Sequence, residues 1–193
     1  MEEDLETMKK YNSLYLSIIM RYKDYIEEHE GLYVAELPKL VTPADSSVLS
    51  VASGITNNFP SYLYDRDFLE AARLAHLYIK ERITTLSLPL QFWQKPSETI
   101  SNAAGDPFDK AVLLCSILIA LGGASSKIII TISDGSRDFL VYTEYRDELI
   151  VIDLERGITT AHNRDDLLSR LKIGINPELS AYEFNDKMYT NII

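Results

Sequence analysis

Between Lys95 and Gly122 the sequence reads KPSETISNAAGDPFDKAVLLCSILIALG, and most groups able to do chemistry fall there. Asp106 and Asp109 stand one helical turn apart at the start of an apolar run. Cys115, the single cysteine among 193 residues, lies inside that run. Paired carboxylates suit acid–base work when the environment raises one pKa. A helix start does the opposite, because its dipole stabilises their charge. A thiol attacks as thiolate and needs a positive neighbour or a helix N-terminus. Cys115 lies about two turns beyond Pro107, beside Leu114, Ile117 and Leu118, where it reads as a small hydrophobe. The three histidines are His29, His76 and His162. His76 reads as a packing residue on an apolar helix, and His162 as an exposed residue before a helix start. No Cys or His pair has zinc spacing, and no glycine-rich phosphate loop is present. Neither metal nor cofactor is expected. Ser133-Asp134-Gly135-Ser136 reads as a hairpin turn rather than a nucleophile elbow, since no helix follows.

The elements that must hold these groups follow from periodicity. Leu5, Met8, Tyr15, Tyr22 and Ile26 recur at helical spacing and predict one long helix over residues 3–29, stopped by Gly31. Its tyrosines (Tyr11, Tyr15, Tyr22, Tyr25) form a face that either packs on the domain or docks a second copy or a partner. Packing is the favoured expectation, because such a stripe rarely stays uncovered. Residues 31–47 read as a connector. Asp45, Ser46 or Ser47 caps a helix over 48–55, and Asp67 caps a longer one reaching Thr84. Pro89 and Pro96 bound a linker holding Trp93, the single tryptophan. A buried helix follows from Asp106 to Leu121, with Asp106 as N-cap, Pro107 at the first helical position and Gly122 as its stop. Strands are expected at 127–133, 139–145 and 148–154, then a helix from Asn163 to Lys172. A terminal hairpin follows at 182–184 and 187–192. Helices first, then an antiparallel sheet, make an α+β fold. Residues 1–44 read as helix and connector and 45–193 as the domain, together one compact unit.

Composition narrows the function classes. Net charge is −10, and the 19 Lys and Arg form no basic run, so nucleic acid is not an expected partner. No apolar run is long enough to span a membrane. The first residues, MEEDLETMKK, lack the apolar stretch of a secretory signal, so a cytoplasmic location is expected.

Pro96, Glu98, Thr99, Ile100, Gly105, Asp106, Asp109, Ala111 and Gly122 follow a pattern of the form P-x-E-T-[IL], G-D-C-x-[DE]-x-A, [AR]-x-G. The stretch therefore resembles the active-site segment of the transglutaminase-like superfamily, a branch of the papain-like thiol enzymes. The resemblance spans residues 45–160, about three-fifths of the chain. It implies a transglutaminase-like core in which a helix-borne cysteine meets a histidine on one strand and an orienting Asp on the next. Here Pro107 occupies the cysteine position. The histidine position falls within Asp138, Phe139 and Leu140. Asp153 matches the orienting carboxylate, and Leu149 replaces the usual tryptophan. Without a histidine to orient, Asp153 reads as a turn residue. The resemblance thus implies a cleft lined by Trp93, Asp106, Pro107, Phe108, Phe139, Leu140 and Asp153, with no catalytic residue. The expected protein is not an enzyme. It binds a protein or peptide-like ligand in that cleft, or acts as a scaffold, with self-association through the N-terminal helix. The alternative is a hydrolase or amidase that uses a carboxylate cluster (Asp106, Asp109, Asp153) or Cys115.

Overall fold

From Ala111 to Leu118 only Ser116 is polar, and a helix of that composition must be covered on every side. The rest of the chain provides the cover. The computed structural model describes residues 2–30, 34–87, 90, 92–134, 136–176 and 178–192. Gly31, Pro89, Gly135, Pro177 and the side chain of His29 lie outside the described part. The helices are α1 (Glu2–Arg21), α2 (Lys23–Glu30), α3 (Ser46–Thr56), α4 (Tyr64–Arg82), α5 (Pro96–Asn102), α6 (Pro107–Ala120) and α7 (Arg164–Arg170). The strands are β1 (Thr84–Thr85), β2 (Ala104–Gly105), β3 (Lys127–Ser133), β4 (Ser136–Tyr145), β5 (Glu148–Asp153), β6 (Gly157–Ala161), β7 (Ser180–Phe184) and β8 (Tyr189–Asn191). The fold is α+β.

Helix α6 is the central element, and every residue from Phe108 to Leu118 is buried. A capping box fixes its start. The Asp106 carboxylate accepts from the Asp109 N–H at 2.8 Å, and the Asp109 carboxylate accepts from the Asp106 N–H at 3.0 Å. Pro107 sits in the first turn, where a missing N–H costs nothing. At the other end the Gly122 N–H bonds the Ile119 carbonyl (3.0 Å) and the Gly123 N–H bonds that of Leu118 (2.9 Å). That Schellman closure requires the left-handed conformation found at Gly122, φ 104°. The Ser116 side chain is satisfied: its hydroxyl donates to the Val112 carbonyl and accepts from the Thr42 N–H.

Strands β3 to β8 form one antiparallel sheet in the order β6-β5-β4-β3-β7-β8. Alternation along the strands gives it two apolar faces. Ile128, Ile130, Val141, Ile150, Ile152 and Phe184 join the main core with α3, α4 and α6. Ile129, Tyr142, Leu149, Val151 and Ala181 pack with Leu167, Ile173 and Leu179 on the other face. That second face buries one carboxylate, Glu183, with three partners. It accepts from the Tyr142 hydroxyl at 2.9 Å and pairs with Arg164 (3.2 Å) and Lys127 (3.4 Å). Leu37, Leu40 and Val41 are buried in the main core, so packing reaches back into the connector.

Several expectations change. The N-terminal helix is interrupted at Tyr22, whose N–H is shared between the Ile18 and Ile19 carbonyls. Its described side chains from Thr7 to Ile18 are exposed or half-exposed rather than packed on the domain. The connector contains a 3₁₀ segment, Val34–Leu40. Asp67 is not the cap of α4. The helix starts one turn earlier, and the Asp67 carboxylate accepts from the Leu63 N–H at 2.9 Å. Strand β6 occupies residues 157–161, outside the expected strands. Asp45, Asp106 and Asn163 do cap their helices.

Candidate functional site

The site is built where the start of α6 meets β4 and β5. In the sheet register Leu140 stands opposite Asp153, and Phe139 opposite Ile130 of β3. The positions that the resemblance assigns to histidine and orienting carboxylate are therefore neighbours across one strand pair. Pro107, Asp138, Phe139, Leu140 and Asp153 all line one open pocket of about 470 Å³. Trp93 and Phe108 lie behind its wall. The Phe108 ring is 5.1 Å from that of Trp93, 5.6 Å from Phe139 and 6.1 Å from Phe184, centroid to centroid. Phe108 is buried, so the space directly behind Pro107 is filled by this aromatic layer.

The pocket also draws on residues that local sequence reading did not select. Arg137, Arg156, Arg170, Lys172 and Leu179 line it. Arg137 flanks the expected strand position, but Arg170, Lys172 and Leu179 reach the site through tertiary folding alone. Lys172 holds a left-handed backbone conformation, φ 58°, at the end of α7. A side chain with a Cβ is strained there, and glycine would be the relaxed choice.

Asp106 and Asp109 do not line the pocket; their carboxylates build the backbone around it. Asp109 is fully buried and accepts from the Gln94 N–H (2.8 Å), the Gln94 side-chain amide (3.2 Å) and the Asp106 N–H. Gln94 in turn accepts from the Asn102 amide at 2.7 Å. A Cβ on Gly105 would come within 2.9 Å of the Asp109 Cβ, so the glycine permits this close approach. Burial raises the Asp106 carboxyl and pushes that of Asp109 up to about 6. The three carboxylates therefore form no common cluster at the pocket. Asp153 accepts from the Glu155 and Arg156 N–H groups at 2.9 and 3.0 Å and organises the turn after β5.

Other candidates lie elsewhere. Cys115 is fully buried, and burial drives its thiol well above the ordinary range. Cys115 is expected to resist a thiol reagent in the folded protein and to react only on unfolding. Labelling at the rate of a free thiol would contradict that burial. His76 lies 3.3 Å from the Leu154 carbonyl, and His162 is exposed; neither lines the pocket. Among the described residues no cluster of metal-ligating side chains is found, and no helix is long and apolar enough to cross a membrane.

The sequence matches no protein-family profile and no curated protein. Solved structures do match. Legionella pneumophila LapG superposes with a TM-score of 0.54 at 15% identity, over 78% of this chain and 88% of LapG. The EGTA-treated form gives 0.51 at 14% identity, over 83% and 86%. Identities this low carry the fold and nothing finer. They do correct one expectation, that the chain is not an enzyme: the fold is that of LapG, a cysteine protease. The physical reason is that Pro107 argues only against attack by a thiol at that one position. The chain thus has an α+β fold shared with LapG.

Proposed function

We propose that the protein recognises an extended peptide segment of another protein in the pocket between the start of α6 and the β4–β5 pair. One observation carries this reading. Pro107, Phe139, Leu140 and Asp153, the positions aligned with the cleft of the resembled family, line one open pocket. Its chemistry suits a peptide of mixed character. Phe139, Leu140 and Leu179 offer an apolar wall for a side chain. Asp138, Asp153 and Glu155 alternate with Arg137, Arg156 and Lys172 around it, which supplies charged groups for orientation.

Trp93 sits in the aromatic layer behind the pocket, so its emission reports occupancy. Titration with pooled peptides of defined sequence should shift that emission for a subset, and mass spectrometry of the same peptides reads any cleavage. Leu140→Arg, which places a bulky cation in the pocket, should weaken binding at least about tenfold without unfolding the chain. If no pool shifts Trp93, or if the Leu140→Arg variant binds equally well, the reading is wrong.

A further inference from the structure

Nine of the sixteen large apolar side chains exposed among the described residues belong to one short region, from Met8 to Tyr25. At 100° per residue, Met8, Tyr11, Leu14, Tyr15, Ile18, Tyr22 and Tyr25 fall within an arc of about 120°. They form one continuous stripe, and each is between 45% and 61% exposed. Tyr11 and Tyr15 already stack along it, with ring centroids 6.3 Å apart. A stripe of this size is well beyond the scatter of single surface hydrophobes.

From this stripe we propose that α1 and the start of α2 pair with the same helices of a second copy, in antiparallel orientation. Area supports the choice. Large side chains of this kind bury about 100 Å² each from a half-exposed start, so seven give about 700 Å² per copy, close to the ~800 Å² of a standard interface. Dipoles support the direction: an antiparallel pair centred near Ser13 opposes the two helix dipoles. In the heptad phase with Met8, Tyr15 and Tyr22 at one core position, Met8 meets Ile18 of the second copy and Tyr11 meets its Tyr15. An anionic membrane surface is a poorer occupant for a chain of net charge −10.

Analytical ultracentrifugation of the full chain tests the pairing. Wild type should sediment at twice the monomer mass, and Tyr15→Lys should raise the dissociation constant at least about tenfold. Thermal unfolding extrapolated to infinite dilution should be unchanged, because Tyr15 is exposed within one copy. Orientation is read by cross-linking, with a quiet background because Cys115 is buried. The double variant Met8→Cys/Ile18→Cys should form a disulfide dimer on mild oxidation, and Met8→Cys alone should not. A wild type that is monomeric at all accessible concentrations overturns the proposal, as does a dimer insensitive to Tyr15→Lys. Binding of a monomer to phosphatidylserine vesicles through Tyr15 names a membrane as occupant and overturns it too. Ready cross-linking of Met8→Cys alone overturns the antiparallel arrangement.

Discussion

Phe108→Ala should lower the unfolding free energy by about 3–5 kcal/mol. Phe108 is 3% exposed and joins Trp93, Phe139 and Phe184 into one aromatic layer. Removing the ring leaves a void behind Pro107 that the helix start cannot close, because the Asp106–Asp109 capping box fixes its backbone. The loss therefore includes both the transfer term and a cavity term. Trp93 loses its nearest ring partner, so its emission should move toward that of a solvated indole. Denaturant unfolding followed at Trp93 measures both effects. A loss below about 1 kcal/mol with unchanged emission would show that the layer does not support the pocket wall.

Asp109→Asn is the second substitution of large expected effect. The carboxylate accepts three N–H groups in a fully buried position. The amide can keep one acceptor but turns its own N–H₂ toward donors, and each buried donor left unpaired costs about 1–3 kcal/mol. The pH dependence has a definite sign. Burial raises the folded-state pKa of Asp109 to about 6, above its ordinary value near 4. The folded chain then holds this proton more tightly than the unfolded chain. Its contribution is fully present below about pH 4 and is lost as pH rises through about 6. The stability gap between wild type and Asp109→Asn should therefore narrow as pH increases across that window. Thermal unfolding of both proteins at several pH values reads it, and a gap that widens would mean that the hydrogen bonds outweigh burial.

These two residues show what the sequence disclosed. Asp106, Pro107 and Asp109 announce a helix start by local chemistry alone, and the structure has the N-terminus of α6 at Pro107. Gly122 marks its end because only a residue without Cβ sits comfortably at the left-handed closure. The three strands after Lys127 were legible from their β-branched alternation. Strand β6 was not, because its exposed Thr159 and Thr160 carry no strong apolar period. The short helix α5 lies too close to Pro96 and Gly105 to show a period of its own. The packing state of α1 was misjudged, since a stripe of Met, Tyr and Ile looks the same whether a core or solvent lies beside it. At the site, Pro107, Phe139, Leu140 and Asp153 could be named from motif spacing. Lys172 and Leu179 could not, because nothing local tells a helix end that it will meet a strand pair. Asp109 was legible as a charge at a helix start, but its partner Gln94 is fixed only by the tertiary path of the linker.

Hydrogen exchange with a peptide identified by the Trp93 titration is the most direct measurement of where the protein binds. Slowed exchange is expected at residues 137–140 and 153–156, with a smaller effect at 170–172, because these segments line the pocket. Slowed exchange confined to α1 and α2, or to β7 and β8 with the pocket segments unchanged, would contradict peptide recognition at this site.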